Sequence, residues 1–169
     1  MLRADAQRNL DRLLGAASEC FAERGLEVSV DEIARRAGVG HGTVFRRFPT
    51  KDALVTAVVL HELEGLVAAT DAALADPDPG SGFEQFFRAV AAAYGRNRAL
   101  IDGLDRNDEM PQLVAFKSAA RGLVRRAQKA GAVRRDLDAD DVLALVPAAS
   151  RYPDVILAGL RPPGARTGL

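Results

Sequence analysis

Leu10, Leu13, Leu14, Ala17 and Phe21 recur at the three- and four-residue steps of a buried helical stripe, and Gly25 ends the helix they predict over residues 4–24. A second stripe follows at once. Ser29 is placed to cap a short helix whose first turn carries Asp31 and Glu32 and whose narrow inner face is Ile33, Ala34 and Ala37. Gly38 can take the left-handed conformation that closes it, and Val39 can plug the gap before the next helix. That next helix opens near Gly40 or His41 and runs to Phe48, turning Val44 and Phe48 inward and Gly42, Thr43, Phe45, Arg46 and Arg47 outward. Pro49 stops it, and Thr50 caps a helix that continues from Lys51 for 24 residues, roughly 36 Å at 1.5 Å per residue.

Beyond that helix, Pro77, Pro79 and Gly80 mark a loop over residues 75–82, after which Ser81 is expected to cap another helix. Phe83, Phe86, Phe87, Val90, Ala91 and Tyr94 form its amphipathic stripe. A shorter helix over 98–104 and an acidic turn over 105–109 come next. Pro111 then fits the first position of a helix that turns Leu113, Phe116, Ala120, Leu123, Val124 and Ala127 inward and Lys117, Arg121, Arg125, Arg126 and Lys129 outward, up to Gly131. Residues 133–137 form a connector, and Asp138 with Asp141 makes a cap pair for a helix over 139–146. Pro147 and Pro153 interrupt the rest, leaving a short helix over 152–160 and a tail.

Charge adds a location to this all-α outline. Between Ile33 and Lys51 there are five basic residues (Arg35, Arg36, Arg46, Arg47, Lys51) and no acidic one, while the remaining 18 basic residues are set against all 23 acidic ones. A neutral chain with one basic patch on a helix-turn-helix has the footprint of duplex DNA binding, in which a helix enters a groove and its neighbours hold phosphates. The small Gly42 and Thr43 would let the backbone approach base edges, and His41 could read a base edge or a phosphate as readily as start a helix in solvent.

The run S-V-x-x-I-A-x-x-A-G-V-x-x-G-T-V-F-x-R-F-x-T-K-x-x-L, from Ser29 to Leu54, resembles the DNA-binding domain of TetR-type transcriptional regulators, over about residues 5 to 60. Three positions depart from the family pattern. Gly40 stands in place of the usual Ser or Thr cap, Phe45 in place of the common Tyr, and Arg47 in place of His or Tyr. The resemblance implies a helix-turn-helix domain over residues 1–50 and a regulatory, ligand-binding and dimerisation bundle over 51–169. It also implies a cytoplasmic homodimeric repressor, without enzymatic activity or cofactor, released from operator DNA by a small apolar effector. Ser29, His41, Gly42, Thr43, Phe45, Arg46, Arg47 and Lys51 are the expected DNA-binding residues. Leu123, Val142, Val146, Val155 and Leu160 are the expected dimer contacts, although the C-terminal helices look shorter than the family's usual four-helix interface.

The bulky groups of an otherwise Ala-rich body could line an apolar cavity, which makes His61, Phe86, Phe87, Val90, Tyr94, Met110, Leu113 and Phe116 the candidate ligand pocket. The same side chains serve equally as core, and His61 equally as a packed residue. Asp102, Asp105, Asp108 and Glu109 lack a His or Cys at ligand spacing, so a metal or catalytic pair is not expected there. A single cysteine, Cys20, reads as a packing residue and fits a reducing compartment. No signal-peptide pattern opens the chain, and no run of about 18 apolar residues suggests a membrane span. Two other readings remain open: a DNA-bound architectural factor without effector, and a helical small-molecule-binding protein or enzyme that lacks operator recognition.

Overall fold

The computed structural model describes residues 2–97 and 110–163, the side chains of residues 2–4 aside. The expected helix over 98–104 and the acidic turn with Asp102, Asp105, Asp108 and Glu109 lie outside those residues. Among the described residues the chain is helical and has no strand. In order come α1 (Leu2–Arg24), a 3-10 turn (Gly25–Glu27), α2 (Val30–Ala37), α3 (His41–Arg47), α4 (Lys51–Ala75), α5 (Pro79–Arg96), α6 (Pro111–Lys129), α7 (Ala139–Ala144), α8 (Val146–Ala149) and α9 (Pro153–Leu160). They fall into two compact units, Met1–Glu62 with Arg96–Asn107 and Leu63–Gly95 with Asp108–Leu169, so α4 runs through both.

In the first unit, local chemistry sets the helix ends. Gly25 and Gly38 both have positive φ, 71° and 66°, the backbone region that costs glycine nothing. At Gly38 the turn closes with Val39 N–H donating to the Ala34 carbonyl at 3.0 Å, the wrap that ends α2 and aims α3. Ser29 Oγ accepts the Glu32 N–H at 3.3 Å and Thr50 Oγ1 accepts the Ala53 N–H at 3.1 Å, as their cap positions required. Gly40 offers α3 no side-chain cap. The core is Leu13, Leu14, Ala17, Cys20, Phe21, Val28, Ile33, Ala34, Ala37, Val44, Leu54 and Val58. Leu10 and Phe48 are only half-buried, because the stripe reaches the edge of the unit at those two positions.

A buried polar chain crosses this unit. Asn97 Nδ2 donates to Ser18 Oγ at 2.9 Å, and Ser18 in turn donates to Glu62 Oε1 at 2.6 Å, linking α1 to α4 and to the end of α5. Each member buys its burial with a partner, although Asn97 Oδ1 has none.

The second unit buries Phe83, Phe86, Phe87, Ala91, Leu123, Val124, Val133, Val142, Val146, Leu157 and Leu160 around one core. Its opening differs from the sequence expectation. Asp78, not Ser81, caps α5: Asp78 Oδ1 accepts the Gly80 N–H at 3.0 Å, and the helix begins at Pro79, whose missing N–H costs nothing in a first turn. Ser81 lies inside the helix, and its hydroxyl accepts from Gln85 at 2.9 Å. Arg126, expected to face solvent, instead donates to the carbonyls of Ala73, Leu74 and Asp76 at 3.1, 3.0 and 2.6 Å and so satisfies the unpaired end of α4. Gln128 similarly holds the connector by its carbonyls at Arg134 and Leu137 (3.0 and 2.8 Å). Asp138 and Asp141 form the expected reciprocal capping box for α7.

By length and composition α4 is apolar enough to cross a bilayer. It also carries His61, Glu62, Glu64 and Asp71, and its Leu54, Val58, Val59, Leu63 and Ala73 are buried.

Candidate nucleic-acid interface

α3 is a seven-residue helix pinned by one buried side chain, Val44, which leaves His41, Gly42, Thr43, Phe45, Arg46 and Arg47 exposed together. Ser29 is exposed at the start of α2, with its hydroxyl used as the cap, and Lys51 is half-buried in the first turn of α4. A Cβ added to Gly42 would meet nothing within 4 Å. The fold itself therefore does not require a glycine there, and the missing side chain keeps the outer face of α3 low. Beside it, a groove of about 380 Å³ is lined by Thr43, Arg46 and Arg47 with Val39 and, from α1, Ala6, Asn9, Leu10 and Leu13.

Ion pairing divides the basic residues into two groups. Arg36 is spent on the unit itself: it donates to both carboxylate oxygens of Glu23, at 2.6 and 2.7 Å, and lies 3.0 Å from Glu19. Arg24 pairs with Glu32 at 2.6 Å, and Arg35 approaches the same carboxylate at 3.7 Å. Arg46, Arg47 and Lys51 form no ion pair among the described residues. Of the five basic residues counted in the sequence, those left without a close ion pair are therefore on α3 and the start of α4, a narrower patch.

The Arg36 guanidinium, chiefly by its hydrogen bonds, holds Glu23 below its ordinary value of 4.5. A carboxylate with a depressed folded value contributes its full share of stability above 4.5 and loses it as the pH falls through that lower value. Arg36→Gln should accordingly narrow the gap in thermal midpoint between pH 7 and pH 3 while leaving duplex binding in place; an unchanged gap would show that the pair contributes nothing. Burial pushes the neighbouring Cys20 thiol up, which suits a packing residue and not a reactive one.

One contact had no counterpart in the sequence reading. Asp31, read there only as a favourable acid in the first turn of α2, meets the His41 Nδ1 across the turn. The His41 ring also lies against Phe45, with centroids 4.3 Å apart and planes inclined by 32°. The ten-residue separation crosses the Gly38 turn, so only the folded turn brings the two together.

Phe86, Phe87 and Leu113 are buried, Val90, Tyr94 and Phe116 are half-buried against the second unit's core, and Met110 is half-buried just before α6. Phe86 and Phe116 are neighbours, with ring centroids 6.2 Å apart. His61 is half-buried and belongs to the first unit. Of the residues expected to face a partner chain, Leu123, Val142, Val146 and Leu160 are buried in their own unit; only Val155 is exposed. Pro147 and Pro153 stand in the first turns of α8 and α9 and keep these helices short, and Val142, Val146 and Leu160 join the unit's own core, as Leu123 does from α6. A groove of about 680 Å³ in the second unit is lined instead by Phe83, Val133, Leu157 and Leu160 with Arg88 and Arg161 at its edge. Among the described residues no cluster of His, Cys, Asp and Glu could hold a metal.

Two family models match the chain: bacterial regulatory proteins of the tetR family over residues 13–58, and the C-terminal domain of SbtR-like transcriptional regulators over residues 78–162. The crystal structure of a TetR transcription regulatory protein from Mycobacterium vanbaalenii is 41% identical and superposes with a TM-score of 0.78, covering 95% of this chain and 99% of that one. A TetR transcriptional regulator from Streptomyces coelicolor is 29% identical with a TM-score of 0.68, covering 90% and 98%. Among curated relatives, an HTH-type transcriptional repressor from Mycobacterium tuberculosis is 54% identical over 50 residues, 29% of this chain and 27% of that protein. The regulator UidR of Escherichia coli is 26% identical over 121 residues, 68% and 60% of the two chains. The chain thus spans about a quarter of the length of the first of these relatives and less than two thirds of the second.

Proposed function

The chain belongs to the TetR family of transcriptional regulators, and on that premise we propose that it is a cytoplasmic, non-catalytic repressor that binds operator DNA as a homodimer through α3. The observation that carries this reading is the group formed by Arg46, Arg47 and Lys51, none of which has an ion-pair partner among the described residues, on the face where Gly42 and Thr43 keep α3 low. In a dimer, two such helices would enter successive major grooves about 34 to 36 Å apart, on a roughly palindromic site. Thr43, Arg46, Arg47 and Lys51 would hold phosphates, with Ser29 at the phosphate edge, while His41, Gly42, Thr43 and Phe45 lie against the bases.

Titrating the intact protein with duplexes from its own regulatory region, across a range of salt, tests the reading. Tight, salt-sensitive binding of one duplex over others supports it, and no duplex binding at low salt overturns it. Lys51→Ala should weaken binding to all sequences alike and flatten the salt dependence by about one unit per half-site. A loss confined to one operator would contradict its assignment to phosphate.

For the effector we propose a small apolar molecule seated against Val90, Tyr94 and Phe116, with α4, which belongs to both units, transmitting its binding to the head. Co-titration of candidate ligands and operator checks this: a ligand that raises the thermal midpoint without altering operator affinity refutes the coupling. The full burial of Phe86, Phe87 and Leu113 favours a second reading, a DNA-bound factor without effector. Operator affinity indifferent to every ligand that the second unit binds would support it.

A further inference from the structure

An acid on a surface that meets DNA is an electrostatic cost, since it repels the phosphates that the surrounding arginines attract. Asp31 is such an acid. It is exposed, it lies in the first turn of α2, and its carboxylate reaches the Nδ1 of His41, the first residue of α3. Three acids nearby in the same unit, Glu19, Glu23 and Glu32, are occupied by Arg36 and Arg24. The carboxylate of Asp31 meets the imidazole and, among the described residues, no cation of the arginine set.

The ring of His41 is thereby held from two directions. Asp31, as a carboxylate, can only accept, so the proton of the Asp31–His41 contact sits on Nδ1. Phe45, one turn further along α3, lies against the ring with centroids 4.3 Å apart and restricts its rotation. In the neutral ring this leaves Nε2 without a proton, as the one polar atom available to a partner. An acceptor at that place complements the exocyclic amine that cytosine or adenine presents in the major groove and opposes the O6 and N7 acceptors of guanine. A free neutral histidine could offer either nitrogen as donor or acceptor; a neutral ring fixed by Asp31 and Phe45 offers a single pattern.

The geometry points to Asp31 as a positioning residue for operator specificity: it sets the tautomer and orientation of His41 so that Nε2 reads an amino-bearing base, cytosine or adenine, at one position of each half-site. This inference rests on the DNA-binding role proposed above. It adds a residue on α2, outside the recognition helix, whose effect on sequence preference is opposite in sign to its effect on affinity.

The test selects duplexes from a randomised pool with the full-length protein, and then measures base preference at each half-site position alongside affinity for an unrelated duplex. The wild-type protein should prefer cytosine or adenine at one position. Asp31→Ala should flatten that position by about tenfold, as should His41→Ala, while binding the unrelated duplex as tightly as wild type or up to about twofold tighter. Asp31→Asn, whose amide oxygen still accepts the Nδ1 proton, should keep the preference; this rescue separates positioning from a general loss of helix stability. An Asp31→Ala profile identical to wild type, a preference for guanine at the His41 position, or a uniform flattening of all positions overturns the proposal while leaving DNA binding intact. A wild-type protein that enriches no sequence overturns the DNA-binding reading and this proposal with it.

Discussion

Reversing Arg46 and Arg47 together to glutamate should abolish duplex binding, with a loss of about a thousandfold or more near 100 mM salt, and leave the protein folded. The size follows from counterion release. Each arginine that neutralises a phosphate contributes close to one unit of salt slope, and the proposed dimer would present both residues twice, so the double variant would remove four contacts and add four repulsions. The sparing of the fold follows from exposure. Both residues are exposed and neither forms an ion pair among the described residues, so the cost is confined to acids in the last turn of α3 opposing the helix dipole, about 0.3–1 kcal/mol each. Arg36→Gln supplies the contrast, because that guanidinium serves Glu23 and Glu19 and its loss should register in stability without registering in duplex affinity. Binding isotherms for both variants, beside their thermal midpoints, decide the matter. A double reversal that binds like wild type would place the interface elsewhere.

Gly82→Ala should destabilise the second unit by about 3 kcal/mol, at the upper end of what overpacking costs. For a chain of this size that corresponds to a fall of roughly 6 to 12 °C in thermal midpoint. Inside an ordinary helix the same change would stabilise by about 0.5–1 kcal/mol, so the expected sign is itself a test. A Cβ at Gly82 would stand 2.4 Å from the carbonyl oxygen of Ala73 and 3.1 Å from the Cβ of Asp76. The first of these is backbone and cannot rotate away. Moving it would also disturb the three carbonyls, at Ala73, Leu74 and Asp76, that Arg126 gathers at the end of α4. Gly122→Ala in α6, where the added carbon would meet nothing within 4 Å, should stabilise by the ordinary helical increment. Equal midpoints for the two variants would mean that the approach of α5 to α4 is looser than the structure has it.

Local chemistry explains why so much of the head was legible. Caps, breakers and helical periodicity act over four residues or fewer, so Ser29, Gly38, Pro49 and Thr50 announce their roles wherever the rest of the chain goes. The same holds for Gly25, Pro111, Gly131 and the Asp138–Asp141 pair, and for the all-helical class as a whole. The misplaced cap at Ser81 is an exception of the same local kind, since Asp78 and Pro79 offered a competing start three residues earlier.

The sequence by itself determined most of the helices and most of their ends, the helix-turn-helix and the outward set on α3, because each depends on interactions within about one turn of chain. Only the tertiary structure decided which charges remain uncompensated. Arg36 is withdrawn by Glu23, 13 residues away, and Asp31 is brought to His41 across the Gly38 turn. It also decided that Leu123, Val142, Val146 and Leu160 pack inward and that Arg126 closes the end of α4. An apolar stripe states that a face is buried but not what buries it, and a lone charge does not name its partner; both depend on where distant segments of the chain come to lie.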